Sequence, residues 1–467
     1  MQAMGGDYKD IERIFFVGIG GIGMSTLARY FLAGGYPVAG YDRTATPNTD
    51  SLMREGCEIV FSDNVSSIPE SYRQPSSPSA LLVIYTPAIP SSSAILSFFR
   101  QSGYRVVKRS EVLGHISEQS DALAVAGTHG KTTVSAMLAH ILKISHLDCT
   151  AFLGGISKNY DSNLILGEGP LTVMEADEFD RSFHRLSPMM AVVTSMDADH
   201  LDVYGTFESM VAAYNEFIAL IRAGGALVVH KRAEGYVYKR RDLELYSYGV
   251  EDVSDYYAFN LSPEGSYYRF NMKTPAGVMK DIHLGVPGAL NVENAVAASA
   301  LAMICGVSQS DLRKALLCYR GVKRRFDLRV SYPGLVYIDD YAHHPEEIKA
   351  CVASVREQYP GRHITGIFQP HLYSRTRDHA ETFAGALDML DDVILMPVYP
   401  AREEPIPGVE SSVILEKMRL KGARIAGADS VLDEIDYKRS DVIITIGAGD
   451  IDRLVKPLEE RIGEEQQ

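Results

Sequence analysis

The stretch Gly127-Thr128-His129-Gly130-Lys131-Thr132-Thr133 combines glycines, a lysine and hydroxyls in an order that suits phosphate. Backbone N–H groups of such a loop cradle phosphate oxygens, the Lys131 ammonium reaches the β and γ oxygens, and the Thr132 hydroxyl is a ligand for magnesium. A strict G-x-x-x-x-G-K-[ST] loop would have glycine five residues before Gly130, where Val125 stands, so the loop is a shortened variant. Two acidic clusters, Glu175-Ala176-Asp177-Glu178 and Asp197-Ala198-Asp199-His200-Leu201-Asp202, each follow an apolar run. Carboxylates at strand ends beside a phosphate loop can hold the magnesium that bridges ATP phosphates, and the two clusters together read as a metal and phosphate site.

A second glycine motif, Gly18-Ile19-Gly20-Gly21-Ile22-Gly23, matches G-x-G-x-x-G, with Asp42 nineteen positions after the last glycine. Glycines there let the backbone approach a diphosphate at a helix start, and the acid is placed to hold a ribose. The motif indicates a diphosphate without indicating nicotinamide. Further on, Gly321-Val322-Lys323-Arg324-Arg325-Phe326 sets three cations in a row, as a solvated hinge or as charge stabilisation for phosphate. Asn291-Val292-Glu293-Asn294-Ala295 reads as a helix cap with a polar face. Asp339-Asp340-Tyr341-Ala342-His343-His344-Pro345 lacks the H-E-x-x-H spacing of a zinc protease. Gln369-Pro370-His371 and Ser374-Arg375-Thr376-Arg377-Asp378 gather His and Arg after an apolar run, which suits an anionic substrate.

These motifs need rigid elements behind them. Arg13 to Val17 reads as a strand running into the first glycine loop, followed by a helix from Met24 to Ala33, and further strands follow at Val38 to Tyr41, Leu81 to Tyr85 and Arg105 to Val107. The pattern restarts at Ala122 to Ala126, which leads into the phosphate loop and a helix from Thr132 to Lys143, and strands at Leu171 to Met174 and Ala191 to Ser195 end in the acidic clusters. A tyrosine-rich β-like stretch spans Tyr246 to Met272. A third restart has strands at Val336 to Ile338, Thr365 to Phe368, Val393 to Met396 and Val442 to Ile446. Alternating strand and helix implies parallel sheets, so the expected class is α/β.

With 467 residues and roughly 150 per domain, about three domains are expected. A formal charge of −14 argues against generic attraction to nucleic acid or anionic membranes. No apolar run approaches the roughly 18 residues of a membrane span and no leader is evident, so the reading is a cytoplasmic protein. Five scattered cysteines, Cys57, Cys149, Cys305, Cys318 and Cys351, suggest packing thiols rather than disulfides or a zinc knuckle.

Taken in order, the motifs resemble the Mur ligases, and the resemblance runs nearly end to end. It rests on Gly18 to Met24, Gly127 to Thr133, Glu175 to Glu178, Asp199 to Asp202, Asn291 to Ala295, Arg324-Arg325-Phe326, Asp340 to Pro345 and Gln369 to His371. It implies three domains: a Rossmann-like sugar-nucleotide domain over 1–118, a central P-loop ATPase-like domain with a mostly parallel sheet over 119–322, and a Rossmann-like domain over 323–467. Within the family, the branch most resembled uses ATP and Mg2+ to phosphorylate the lactyl carboxylate of UDP-N-acetylmuramate, and L-alanine then attacks the acyl phosphate. The resemblance assigns Lys131, Thr132 and Glu175 to nucleotide and metal, and His200 to a second metal or phosphate contact. Gly127, Thr128, His129, Gly130, Thr133, Asn294, Arg325 and Asp340 fall at ATP-binding positions. Gly18, Gly20, Gly21, Gly23, Met24, Asp42 and Thr86 fall at UDP-sugar positions, and His343 and Arg375 lie near the amino acid and acyl phosphate.

Two positions depart from the pattern: Leu290 stands where relatives often have His, and Leu372 where many have Arg. Sister ligases also carry a carbamylated lysine after the acidic-histidine motif, whereas this chain has no lysine between Lys158 and Lys231. One alternative is the sister activity that attaches a preformed tripeptide to the same sugar nucleotide in murein-peptide recycling. A nicotinamide-dependent dehydrogenase would explain Gly18 to Gly23 with Asp42 but gives Lys131 and the acidic clusters no task. A non-catalytic nucleotide-binding regulator would leave Lys131 with Glu175 and His200 unexplained. Oligomeric state is not legible.

Overall fold

A computed structural model of the chain describes residues 8–197, 201–265, 267–401 and 403–465. The first sheet is wholly parallel, built from β1 (Arg13–Val17), β2 (Val38–Tyr41), β3 (Glu58–Val60), β4 (Leu81–Tyr85) and β5 (Arg105–Lys108) in the order β3-β2-β1-β4-β5. Strand residues alternate between faces. Ile14 and Phe16 accordingly enter one apolar cluster, while Phe15 and Val17 enter another on the opposite face. A parallel sheet covered on both faces follows from that pattern, and truncating Phe16, which is fully buried, would cost about 3–5 kcal/mol.

The second sheet contains β6 (Asp121–Ala126), β7 (Thr150–Ser157), β8 (Ser162–Ile165), β9 (Leu171–Glu175), β10 (Met190–Val193), β11 (Ala226–His230) and β12 (Glu244–Val250). Their order is β12-β11-β10-β6-β9-β7-β8, parallel except for the β7/β8 pair. Both sheets belong to one compact unit, comprising residues 1–257, 273–278 and 294–315. Within it the helix Ile22–Ala33 is fastened to the β7–β8 hairpin. The Asn163 amide donates to the Ile22 carbonyl (2.8 Å), Arg29 Nη1 donates to Asn163 Oδ1 (2.7 Å), and the Tyr30 and Phe152 rings lie 5.2 Å apart.

The second unit comprises residues 258–272, 279–293 and 316–467. Most of β13 (Tyr256–Glu264), β14 (Tyr267–Thr274) and β15 (Gly277–Leu284) falls in it, and these three strands lie side by side. Its main sheet has β16 (Asp327–Ser331), β17 (Val336–Asp340), β18 (Ile364–Phe368), β19 (Asp392–Leu395), β20 (Arg424–Ile425) and β21 (Val442–Ile446), in the order β16-β17-β21-β18-β19-β20. Only the β16/β17 pair is antiparallel. Val442, Ile444 and Ile446 face one apolar cluster and Ile443 the other. The α/β class with mostly parallel sheets agrees with the sequence reading. Strands β3, β7, β8, β11, β15, β16 and β20 were not anticipated. The phosphate-loop helix begins a residue earlier and ends a residue later than expected, at Lys131–Ile144.

Among the described residues, no helix is long and apolar enough to cross a membrane. Cys57, Cys149 and Cys351 are buried and Cys305 is half-buried, but Cys318 is exposed, so its reading as a packing thiol is corrected. Burial pushes the Cys57 and Cys149 thiols up to about 12.

Candidate active site

The chain leaves β1 through Gly18, whose φ of +90° is a left-handed conformation that side chains other than glycine rarely adopt. A Cβ there would also stand 2.6 Å from the Thr86 methyl group at the end of β4. The Gly20 N–H donates to Asp42 Oδ2 (2.7 Å), and the Asn48 amide donates to the Gly20 carbonyl (2.8 Å). Asp42 therefore holds the loop's own backbone. Met24 is buried in the apolar core one residue after Gly23. At Gly23 an added Cβ would meet the guanidinium of Arg109, 2.7 Å from Nη1 and 3.2 Å from Cζ. The third glycine of the motif thus admits an arginine that the sequence reading did not single out.

The phosphate loop leaves β6 in the same way, with Gly127 at φ +134° and Gly130 at +79°. It is tied to the end of β10 by hydroxyls. Ser195 Oγ accepts from the His129 N–H (2.9 Å) and shares a hydrogen bond with Thr128 Oγ1 (2.7 Å), and Thr194 Oγ1 donates to the Ala126 carbonyl (3.2 Å) and to that of His129. The Asp197 N–H donates to Thr128 Oγ1 (3.1 Å), and Asp197 lies 3.7 Å from His129 Nε2. Asn294, inside the helix Ala289–Ile304 rather than capping it, brings Oδ1 to 2.7 Å from where a Gly130 Cβ would stand.

Lys131 Nζ donates to the Gly127 carbonyl (2.6 Å) and to Glu178 Oε1 (2.8 Å). Glu178 is only 1% exposed. Burial by itself would lower the lysine's pKa, but Glu178, backed by Glu175 and Asp177, outweighs it and holds the ammonium above its usual range. Thr132 Oγ1 donates to both Glu175 oxygens, at 3.1 and 3.0 Å, and the Gly154 N–H donates to Glu175 Oε2 (3.0 Å). Gly154 is required there because a Cβ would collide with the carboxylate. The structure therefore joins Lys131, Thr132 and Glu175 with Thr128 and His129, and brings in Asn294, which only the family resemblance had placed with them. It adds Glu178, Gly154, Thr194 and Ser195. His200 lies outside the described residues.

In the second unit, Asp340 closes β17 by accepting from the Phe326 N–H (2.6 Å, Oδ2) and the Ala342 N–H (2.7 Å, Oδ1). It thereby pins the Arg324–Phe326 turn, in which Arg324 and Phe326 have positive φ. Burial raises the Asp340 pKa against those N–H bonds. Its neighbour Asp339 is raised to about 6 by burial, with Arg324, 3.4 Å away, opposing. The Arg325 guanidinium lies over the Tyr341 ring, 4.8 Å from its centre. His343 is held at about 4, mainly by burial. Glu347 Oε2, 3.3 Å from its Nδ1, pulls it up, and Arg375 and Arg325 push it down. His343, Arg325 and Arg375 are thus electrostatic neighbours, and the imidazole is neutral near pH 7.

Gln369 bridges to a glycine turn that the motif search missed, Gly447-Ala448-Gly449-Asp450. Its Nε2 donates to Asp450 Oδ1 (2.7 Å), and its Oε1 accepts from the Ile451 N–H (2.9 Å). Leu290, where a histidine was expected, packs against the apolar cluster of β17, β18 and β21. Leu372 sits at φ +71°.

Residues 13–121 match the Mur ligase family catalytic domain, 125–302 the Mur ligase middle domain and 324–449 the Mur ligase glutamate ligase domain. The UDP-N-acetylmuramate–L-alanine ligase of Porphyromonas gingivalis (strain W83) is 49% identical over 453 residues, covering 96% of this chain and 99% of that protein. The same-named ligase of Parabacteroides distasonis is 48% identical over 455 residues, covering 97% and 98%. The solved UDP-N-acetylmuramate-alanine ligase MurC of Thermotoga maritima superposes with a TM-score of 0.81 at 28% identity, covering 97% of this chain and 99% of that one. A murein peptide ligase from Psychrobacter arcticus shares the fold, with a TM-score of 0.70 at 23% identity and coverage of 97% and 99%. With all three domain types matched in order and nearly half of all positions shared end to end, the chain belongs to the Mur ligase family.

Proposed function

We propose that the chain joins L-alanine to the lactyl carboxylate of UDP-N-acetylmuramate at the expense of ATP, in peptidoglycan precursor synthesis. The full-length identity with L-alanine ligases carries this reading. Chemically, a carboxylate attacking a γ-phosphate brings anions together, so the site must supply cations where charge accumulates. Lys131, kept charged by Glu178, meets that need. The amine of L-alanine then attacks the acyl phosphate, and a tetrahedral intermediate collapses to amide and phosphate.

Among the described residues no three His, Cys, Asp or Glu side chains converge on a point. The Thr132 hydroxyl bonded to Glu175 is nevertheless a set of hard oxygen donors that fits magnesium, an ion that commonly takes its other ligands from phosphate and water. Thr132 and Glu175 would hold the ion, which supplies neutralisation of phosphate charge when bound. Gly127 to Thr133 and Asn294 serve the nucleotide, as do Arg325 and Asp340 in the second unit. In Asp340's case the service is indirect, through the turn it pins. His343 and Arg375 serve the amino acid and the acyl phosphate, with His343 acting as a neutral imidazole, and His200 is assigned a second metal or phosphate contact. Gly18, Gly20, Gly21, Gly23 and Thr86 form the sugar-nucleotide loop, Asp42 shapes it and Met24 packs beneath it. The domain limits are 1–118, 119–322 and 323–467, and the compartment is the cytoplasm, where ATP and UDP-sugars are available.

The test is phosphate release with ATP, magnesium and UDP-N-acetylmuramate, adding either L-alanine or the tripeptide L-alanyl-γ-D-glutamyl-meso-diaminopimelate. Turnover with L-alanine alone is expected. Turnover with the tripeptide alone would reassign the chain to recycling.

A further inference from the structure

Arg109 opens the helix Arg109–Glu118 directly after β5, far in sequence from the first glycine loop. Its guanidinium lies along the Gly23 backbone, where a Cβ would approach Nη1 to 2.7 Å, Cζ to 3.2 Å and Cδ to 3.4 Å. Gly23 has no positive φ to explain it, so the absence of a side chain there serves to seat this arginine. On its other side Nη2 is 3.4 Å from Asp177 Oδ2. Asp177 is fixed in turn, since its Oδ1 accepts from the Phe179 N–H (3.1 Å). The preceding residue repeats the arrangement, with Lys108 Nζ 3.0 Å from Asp180 Oδ2. Between these two carboxylates stands Glu178, the partner of Lys131. The acidic turn after β9 is therefore held by cations of the first sheet on its outer carboxylates and by the phosphate-loop lysine on the inner one.

Two features set Arg109 apart from an ordinary ion pair. The 3.4 Å separation is too long for a strong charge-assisted hydrogen bond, which runs at about 2.7–2.9 Å. Asp177 is also 41% exposed at its side chain, so the pair is largely screened. A close ionic bond is thus not what holds the guanidinium against the first glycine loop. Its planar fork matches the oxygens of a diphosphate, and the loop beside it carries the G-x-G-x-x-G pattern of a diphosphate site.

We propose that Arg109 is a binding residue for the diphosphate of the sugar nucleotide, seated by the missing side chain at Gly23. The proposal rests on the sugar-nucleotide reading of the first glycine loop given above. It also makes one residue of the first domain a neighbour of both nucleotide sites, because Asp177 and Glu178 are adjacent in the chain.

The test is calorimetric titration of the full-length protein, with a non-hydrolysable ATP analogue present to block the phosphate loop. Two probes are used: UDP-N-acetylmuramate, and UDP, which keeps the diphosphate and lacks the lactyl carboxylate. Arg109→Gln should weaken both by about 10- to 100-fold, as expected for loss of charged hydrogen bonds worth about 1.5–3 kcal/mol. Arg109→Lys, which keeps the charge and loses the fork, should fall between the variant and the wild type. Asp177→Asn should change both affinities by less than about threefold. Equal losses in Asp177→Asn and Arg109→Gln would overturn the proposal, because the pair would then be a structural bridge. A loss confined to UDP-N-acetylmuramate would also overturn it, by moving the contact to the carboxylate. Failure of the wild-type protein to bind either probe would instead sink the sugar-nucleotide reading. Unchanged thermal melting of Arg109→Lys shows that its affinity loss is not misfolding.

Discussion

The loops after β1 and β6 begin alike, with a buried strand, a glycine at positive φ and a helix, yet they are locked by opposite chemistry. At the first, a carboxylate, Asp42, takes the Gly20 N–H, and a cation, Arg109, fills the notch at Gly23. At the second, hydroxyls from Thr194 and Ser195 hold the loop backbone, which leaves the carboxylates to Lys131 and Thr132. The difference follows from the neighbouring strand. β2 is followed by an aspartate beside the first loop, whereas β10 is followed by Thr194-Ser195 beside the second. Each loop commits one amide to its own anchor, Gly20 to a carboxylate and His129 to a hydroxyl. A loop tied at its backbone by neutral hydroxyls meets its acids through side chains instead, Asp197 at His129 and Glu178 at Lys131. The first arrangement suits a ligand bound and not transformed; the second suits phosphoryl transfer.

The sharpest way to break this comparison is Lys131→Ala. Deleting an electrostatic stabiliser of the transferring phosphoryl group costs on the order of 10²–10³ in rate or more, while affinity for UDP-N-acetylmuramate should hold within about twofold. The variant also strands Glu178, and breaking a buried pair costs at most about 3–5 kcal/mol, less to the extent that Glu178 takes up a proton. Lys131→Ala combined with Glu178→Gln should therefore recover stability in urea unfolding without recovering turnover. Recovery of both would mean that the lysine acts only through folding.

Glycine replacement separates the loops next. Gly127→Ala puts a side chain at φ +134° and into the Thr194 hydroxyl, so the loop must shift as a whole. Gly18→Ala, at φ +90°, meets a threonine methyl at 2.6 Å and an isoleucine tip at 3.3 Å, which can move aside. Strain of about 1–3 kcal/mol applies at each. Gly127→Ala should therefore lower kcat by about tenfold or more, and Gly18→Ala should mainly raise KM for the sugar nucleotide. The reverse assignment of kcat and KM effects would exchange the roles of the two loops.

Much of this was legible in the chain and some was not, for a physical reason. The strands ahead of both loops, the glycines, Lys131, Thr132 and Glu175 are set by local pattern: an apolar run, a turn residue, a polar strand end. The residues that missed notice act over long sequence distances. Arg109 reaches Gly23 from the helix that follows the edge strand β5, and Gly154 reaches Glu175 from β7; in both cases the sequence signal is only a side chain that is absent. Glu178 was visible as one acid among several, but its burial against Lys131 depends on a turn in which Asp180 and Arg181 both take positive φ, a conformation their residue types do not announce. Asp42 occupies the position of a ribose-binding acid in the glycine pattern, and in the structure its carboxylate accepts from the Gly20 N–H.

Asp42→Asn sharpens that last point with a smaller effect. Asparagine keeps an oxygen for the Gly20 N–H and loses the charge, so the loss should be about 1 kcal/mol, in line with a single hydrogen bond. KM for UDP-N-acetylmuramate should rise only a few-fold, and neither form should bind NADH in a fluorescence titration. A loss of sugar-nucleotide affinity above about 30-fold would show that Asp42 contacts the ligand directly.

The smallest expected effect concerns what the second loop lacks. No lysine lies between Lys158 and Lys231, so a carbamate cannot form locally to add an anionic ligand near Glu175. On the proposed assignment, a second magnesium would rely on His200 and water. Neutral imidazole carries no charge to offer, and magnesium prefers oxygen, so that ion should bind weakly. Activity should not change when bicarbonate is removed by degassing and restored by addition, and His200→Ala should act mainly by raising the magnesium concentration needed for half-maximal rate. This follows from the proposed assignment of the metal to Thr132 and Glu175, under which no further fixed anion is needed. A bicarbonate-dependent rate would place a carbamate in the site from a lysine outside that span, while an unaltered magnesium requirement in His200→Ala would remove the histidine from the metal altogether.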